Sequence, residues 1–250
     1  MQFVGYRAAL DGPATLSLAT DGDVRALELA PGTELAYALG ERRCAGVVES
    51  GVHHACSNAE APYCPRHTST WACARCTGDC AKPLPACEEE HAVYLAAFAP
   101  DVFKVGVTRS WRLETRLREQ GADRAAHIRT VADGRRARRV EADIARRITD
   151  RVRVPTKRAG LARSLDTGAW ETLLDDFDPI RRFAFDYGLD LATPPVPETL
   201  ATGTVVGAKG RLLVLERGDT VYAVDLRELI GYEVTPEPDG RARQAGLDAF

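Results

Sequence analysis

Seven cysteines (Cys44, Cys56, Cys64, Cys73, Cys76, Cys80 and Cys87) lie within 44 positions of a 250-residue chain, and none lies elsewhere. An odd number cannot all pair into disulfides, and a reducing compartment would keep the thiols free. Zinc accounts for the clustering. Thiolates and imidazoles are its usual ligands, and two ligands separated by two residues can wrap one tetrahedral ion. The stretch "YCPRHTSTWACARC" supplies Cys64-x2-His67 and Cys73-x2-Cys76, which read together as one site. Cys80, Cys87 and His91, with Cys56 or Cys44, are the ligands left for a second. A closed Cys-rich shell offers water no coordination position, so the expected metal is structural rather than catalytic. A segment poor in Leu, Ile and Phe has little else to fold around.

No apolar run approaches the ~18 residues of a membrane span, and "MQFVGYRAAL" lacks a signal-peptide layout. The expectation is a cytoplasmic chain without a membrane partner. A net charge of −3 conceals an asymmetry: Asp101 to Leu165 carry 18 Lys and Arg against 8 Asp and Glu, a net of +10. The remaining residues hold 15 basic and 28 acidic groups, a net of −13. One basic region in an acidic chain suits a polyanionic partner, although solvated Arg-rich helix faces give the same count.

The expected fold class is α+β, in six sections. Residues 1–43 read as short strands around an Asp21-Gly22-Asp23 turn, and 44–91 as the zinc-bound segment. Residues 92–165 alternate strand and helix patterns in a small mixed sheet with flanking helices. Residues 166–200 read as a helix, "AWETLLDDFDPIRRFAFDYGL", broken or kinked at Pro179, then the Pro-rich linker "ATPPVPETL". Residues 201–235 alternate as strands again, and 236–250 form a tail. The two terminal β-sections are expected to pair into one small barrel or sheet. Gly203, Gly207 and Gly210 read as turn glycines, because their spacing fits neither a dinucleotide fingerprint nor a Walker loop.

In "VYLAAFAPDVFKVGVTR" a three-residue turn at Ala99-Pro100-Asp101 sets Tyr94 opposite Gly106 and Ala96 opposite Lys104. Side chains alternate along a strand, so Tyr94, Lys104 and Gly106 then share one face and the glycine opens space beside the phenol. A helix from about Ser110 to Gln120 follows, ended by Gly121 and carrying Arg112 and Arg116 one turn apart. In the later helix "RRARRVEADIARRITD", Ala137, Val140, Ile144 and Ile148 mark the inner face, and Glu141 falls on it. A carboxylate there needs a cation. Arg116 or Arg138 would serve, and so would a divalent ion. Tyrosine, arginine and a metal-holding glutamate are the groups that cutting a phosphodiester requires.

These residues, in this order, resemble the GIY-YIG nuclease superfamily over residues 92 to about 150. Ala92-Val93-Tyr94 stands where that family has its first tripeptide and Lys104-Val105-Gly106 where it has the second. Arg116 sits at the family's catalytic arginine and Glu141 at its metal-binding glutamate. Lys104 replaces the second tyrosine of the pattern, and Ala92 the first glycine. With the Cys-rich segment included, the whole chain resembles a prokaryotic family of unknown function that joins a zinc module to a GIY-YIG-like core. The resemblance implies a Mg²⁺- or Mn²⁺-dependent endonuclease acting on DNA or RNA, with Tyr94, Lys104, Arg116 and Glu141 in the site and Glu141 on the ion. The other reading is a zinc-containing protein that binds nucleic acid without cutting it.

Overall fold

The computed structural model describes residues 1–68, 78 and 87–237. It divides into two compact units, one made of Met1–Ser69 with Tyr187–Phe250 and the other of Thr70–Asp186. The N-terminal segment supplies β1 (Gln2–Arg7), β2 (Ala14–Thr20), β3 (Asp23–Leu29), β4 (Glu34–Arg42), β5 (Val47–Glu49) and β6 (Val52–His54). The middle supplies β7 (His91–Phe98), β8 (Val102–Arg109), α1 (Leu113–Gln120), β9 (Arg124–Val131), α2 (Gly134–Ile144), α3 (Val154–Ala159), α4 (Thr167–Leu174) and β10 (Arg181–Ala184). The C-terminal segment supplies β11 (Val196–Pro197), β12 (Ala201–Lys209), β13 (Leu212–Arg217), β14 (Thr220–Asp225), α5 (Leu226–Leu229) and β15 (Tyr232–Thr235).

In the first unit the two ends of the chain share one sheet, in the order β11-β14-β13-β12-β4-β15-β1-β2-β3-β6-β5. Local sequence explains its hairpins. Asp21 and Gly22 both adopt positive φ (52° and 95°), which closes the two-residue β2–β3 turn with Thr20 opposite Asp23. Leu16 and Leu18 alternate inward on β2 and join Phe3, Leu29, Leu213, Leu215 and Val224 in one core. Pairing of Gln2 with Glu233 and of Ala201 with Tyr37 stitches the termini together. The expected barrel does not form. The sheet stays open between β5 and β11, whose lengths of three and two residues are too short to pair into a closing seam. Short edge strands also blunt edge-to-edge aggregation.

The Pro-rich linker contributes that edge strand β11, parallel to β14, and an edge tolerates Pro197. Gly210 is a turn glycine as expected, with φ 58°. Gly203 and Gly207 instead lie inside β12, where a Cβ at position 207 would meet Leu189 at 2.8 Å.

The second unit is built on a four-stranded sheet, β10-β9-β7-β8. Every pairing in it is antiparallel, not mixed as expected: β7 and β8 form a hairpin, α1 returns the chain to β9 on the other side of β7, and β10 joins β9 after α2, α3 and α4. Strand β7 is central and buried along almost its whole length, as covering on both faces requires. Val93, Leu95 and Ala97 pack with Ala137, Trp170 and Leu174 from α2 and α4, while Tyr94 meets α1 through Gln120. Helix α4 ends at Leu174, earlier than the apolar pattern suggests. Beyond Pro179 the chain becomes β10 instead of more helix, pairing Phe183 with Ala125. Tertiary pairing here overrides local periodicity. Among the described residues, no helix is long and apolar enough to cross a membrane.

Candidate functional site

Among the described residues, each unit carries a cluster of chemically competent side chains. In the first, Cys44, Cys56, Cys64 and His67 bring one ligand atom each to within 4.8 Å of one another. Cys44 follows β4, Cys56 follows β6, and Cys64 and His67 share a turn in which the amides of His67 and Thr68 donate to the Cys64 carbonyl. The loop between them is laced to Cys44. The Cys44 amide donates to Asn58 O, Ala45 N to Pro62 O, and Gln2 Nε2 to the carbonyls of Cys44 and Gly231. Gly46, at φ 63°, has the His54 carbonyl where a Cβ would stand, so only glycine lets the two segments close.

His67 Nδ1 lies 3.3 Å from Cys44 Sγ and 3.4 Å from Cys64 Sγ. A tetrahedron with Zn–N of about 2.0 Å and Zn–S of about 2.3 Å has an N···S edge of about 3.5 Å. The donor set fits a metal ion such as zinc. The backbone amides of Gly46 and Cys64 point at Cys44 Sγ, at 3.4 and 3.3 Å, as donors commonly do toward metal-bound sulfur. Burial pushes the Cys44 thiol up. Burial acts the same way on Cys64, but backbone amides, Cys44 and His67 outweigh it and bring that thiol down to about 7.

Cys64 and His67 therefore act together, as their spacing suggests, but the structure joins them to Cys44 and Cys56. Spacing alone leaves one or other of those two for a second site, whereas both belong to this one. Cys73, Cys76 and Cys80 lie outside the described residues. Cys87 and His91 are described and do not belong to this set. The His91 ring contacts the Glu89 carbonyl at 2.7 Å and fills the space above Gly134.

In the second unit the hairpin takes the three-residue turn, with Tyr94 opposite Gly106, Ala96 opposite Lys104 and Phe98 opposite Val102. Tyr94 is only 1 % exposed. A Cβ on residue 106 would stand 2.5 Å from its Cζ and Oη. Gly106→Ala is accordingly expected to cost about 1–3 kcal/mol through overpacking, read as a lower midpoint in urea. A parent-like midpoint would mean that the ring yields.

Gln120, on the last turn of α1, joins the polar groups. Its Nε2 donates to the Tyr94 oxygen at 2.5 Å, and its Oε1 accepts from Lys104 Nζ at 3.1 Å. Lys157 Nζ donates to the Gln120 carbonyl at 2.7 Å and lies 4.6 Å from the centre of the Phe98 ring. Arg116, one turn before Gln120, pairs with Glu119 at 3.2 Å on its solvent side. Glu141 is nearly buried and pairs with Arg138 at 2.7 Å.

The electrostatics tie these groups together. Burial raises the Tyr94 pKa, with Arg116 and the Gln120 bond opposing and Glu141 adding to the rise. Burial, then the Arg116 charge, bring Lys104 down to about 8, while Glu141 and Asp150 pull the other way. Tyr94, Lys104, Arg116 and Glu141, the four residues singled out in the sequence, thus lie within electrostatic reach of one another. Gln120 was missed. Its signal was available, since it follows Arg116 by four on the same helix face.

Searches of curated proteins and of solved structures return no match. A family model described as "Protein of unknown function (DUF2797)" matches residues 32–185, and the chain belongs to that family.

Proposed function

We propose that this DUF2797 member acts on nucleic acid as a divalent-metal-dependent phosphodiesterase, with a GIY-YIG-like second unit and a structural zinc on Cys44, Cys56, Cys64 and His67. The observation that carries the reading is the single amide of Gln120 joined to both the Tyr94 phenol and the Lys104 amine. A buried tyrosine and a lysine moved toward neutrality by burial and a neighbouring arginine are expensive arrangements, and such perturbed groups concentrate at reactive sites.

The protonation states suggest a division of labour. Tyr94 stays a phenol at neutral pH, so it serves as a hydrogen-bond donor to phosphate or water rather than as a base. Lys104, brought down to about 8, is neutral in about one molecule in ten at pH 7. In that form its Nζ can take the proton of an attacking water. Arg116 offsets charge that develops on the phosphate. Glu141 is the residue that would hold Mg²⁺ or Mn²⁺. Arg138 occupies one of its oxygens, and the other has no hydrogen bond among the described residues. A bound ion there supplies Lewis acidity to a phosphate oxygen.

The same Arg138–Glu141 pair favours the second reading, a zinc-containing protein that binds nucleic acid without cutting it, because a satisfied carboxylate is a poorer ligand. Incubation with labelled single- and double-stranded DNA and RNA, with Mg²⁺ or Mn²⁺, separates the two. Cleavage by the parent, lost in Glu141→Ala, is the expected result. Binding by both without cleavage would select the second reading. Binding indifferent to salt would count against either, because phosphate contacts by several arginines weaken steeply as salt rises.

A further inference from the structure

Trp111 is the most exposed large hydrophobic residue described, at 69 %. Every described phenylalanine and the other described tryptophan, Trp170, are buried or half-buried. The indole is nevertheless held in place. It lies in the 3₁₀ turn Ser110–Arg112 that links β8 to α1. Its Nε1 donates to Glu89 Oε2 at 2.9 Å, and the other oxygen of that carboxylate accepts from Arg109 at 3.0 Å. The Arg109 guanidinium lies 4.8 Å from the centre of the ring and that of Arg112 lies 5.9 Å away. One carboxylate thus grips both the ring and the arginine beside it, and the ring still faces solvent.

The surroundings say what such a ring would take. Arg112 shares the Glu119 carboxylate with Arg116, at 2.9 and 3.2 Å, so the platform continues along α1 to the arginine of the proposed site, one helical turn away. Arg109 and Arg112 lie over the ring, and the indole surface they leave exposed suits a flat, π-faced partner on an anionic backbone. Duplex interiors keep their base faces covered, whereas unpaired nucleotides expose them, and bases stack on aromatic side chains in single-strand binding proteins. Cation–π contact from arginine adds to that stacking.

We infer that Trp111 is a stacking platform for an unpaired nucleobase, so that the nucleic acid taken by this unit carries a single-stranded stretch beside the site. The inference rests on the nucleic-acid reading and narrows its substrate class. A protein partner, for which exposed Trp and Arg are also suited, is the alternative that the test must separate.

The test is binding of the full-length protein to a fluorescent 20-nucleotide single strand of DNA, its RNA counterpart and a blunt DNA duplex, at low salt. The parent is expected to prefer the single strands. Trp111→Ala should weaken single-strand binding by about ten-fold or more and leave the duplex affinity nearly unchanged, while Trp111→Phe retains most of it. Tryptophan fluorescence of the parent should be quenched by the single strand, and the quenching should be lost in Trp111→Phe. Because the indole is exposed, equal melting temperatures for parent and variants are expected, and they exclude a folding defect. If Trp111→Ala binds single strands as the parent does, the platform is overturned and the nucleic-acid reading survives, with the indole left to a protein contact. If the parent binds no nucleic acid at all, the functional reading itself fails, and the platform with it.

Discussion

Cys64→Ser is expected to lose one equivalent of zinc and to lower the melting temperature of the protein by about 10 °C or more. Structural zinc contributes on the order of 10 kcal/mol in small zinc-dependent domains, and a loss of even a few kcal/mol moves the melting point of a chain this long by about that amount. The effect should be large because Cys64 is not peripheral. Its amide and carbonyl organise the turn, its sulfur sits 3.4 Å from His67 Nδ1, and the adjoining loop covers Cys44 beside the β core. Removing one thiolate leaves two sulfurs and an imidazole crowded together with no cation to hold them. His67→Cys exchanges one zinc ligand for another and should retain the metal, which separates ligation from packing. Elemental analysis with a thermal melt checks both variants. A Cys64→Ser protein with full zinc content and an unchanged melt would remove the metal from the account of this fold.

Lys104→Met should move activity and stability in opposite directions. If Lys104 is the base in the proposed function, its loss should lower phosphodiester cleavage by about 10²–10⁴-fold. Stability should rise at neutral pH. The folded pKa of Lys104 is brought down to about 8 from an ordinary value of 10.5, so the folded state resists the charge that the unfolded state accepts freely. Between about 8 and 10.5 the unfolded chain binds more protons, and stability rises with pH across that window. Below it both states are protonated and the full penalty, at most about 3 kcal/mol, is present. Methionine has a similar length without the charge and escapes that penalty. Urea denaturation of parent and variant at pH 7 and pH 10.5 should show the variant ahead at the lower pH and the gap closing at the higher. On the proposed function, the cleavage rate of the parent should climb as pH approaches 8. A variant less stable than the parent at pH 7 would mean that the amine is well solvated, and the case for a tuned base would lapse.

Several features of the fold can be traced to short stretches of sequence. The three-residue turn at Ala99-Pro100-Asp101 sets the register that places Tyr94 beside Gly106. The left-handed Gly121 ends α1, and Asp133 caps α2 by accepting from the Arg136 amide. In each case neighbouring residues decide the matter, because turn geometry and helix capping act over three or four positions. Glu141 also behaves as its place on a buried stripe required, finding a cation in Arg138. Gln120 escaped notice because a lone amide marks no motif, although its place four after Arg116 puts it on that arginine's helix face. Trp111 escaped for a similar reason, since composition cannot say which tryptophan stays outside.

What the chain's own order of residues determined was local: strands, turns, caps, the alternation that gathers Tyr94, Lys104 and Gly106 on one face, and a cysteine segment with ligands at metal-binding spacing. Tertiary structure alone decided the partners. It brought Cys44 and Cys56 to Cys64 and His67, joined β1 to β15 in an open sheet rather than a barrel, and turned the residues after Pro179 into β10. The reason is range. Spacing along the backbone governs contacts a few residues apart, whereas a ligand set or a sheet edge depends on which distant segments bury their apolar faces together, and several pairings satisfy the same local pattern equally well.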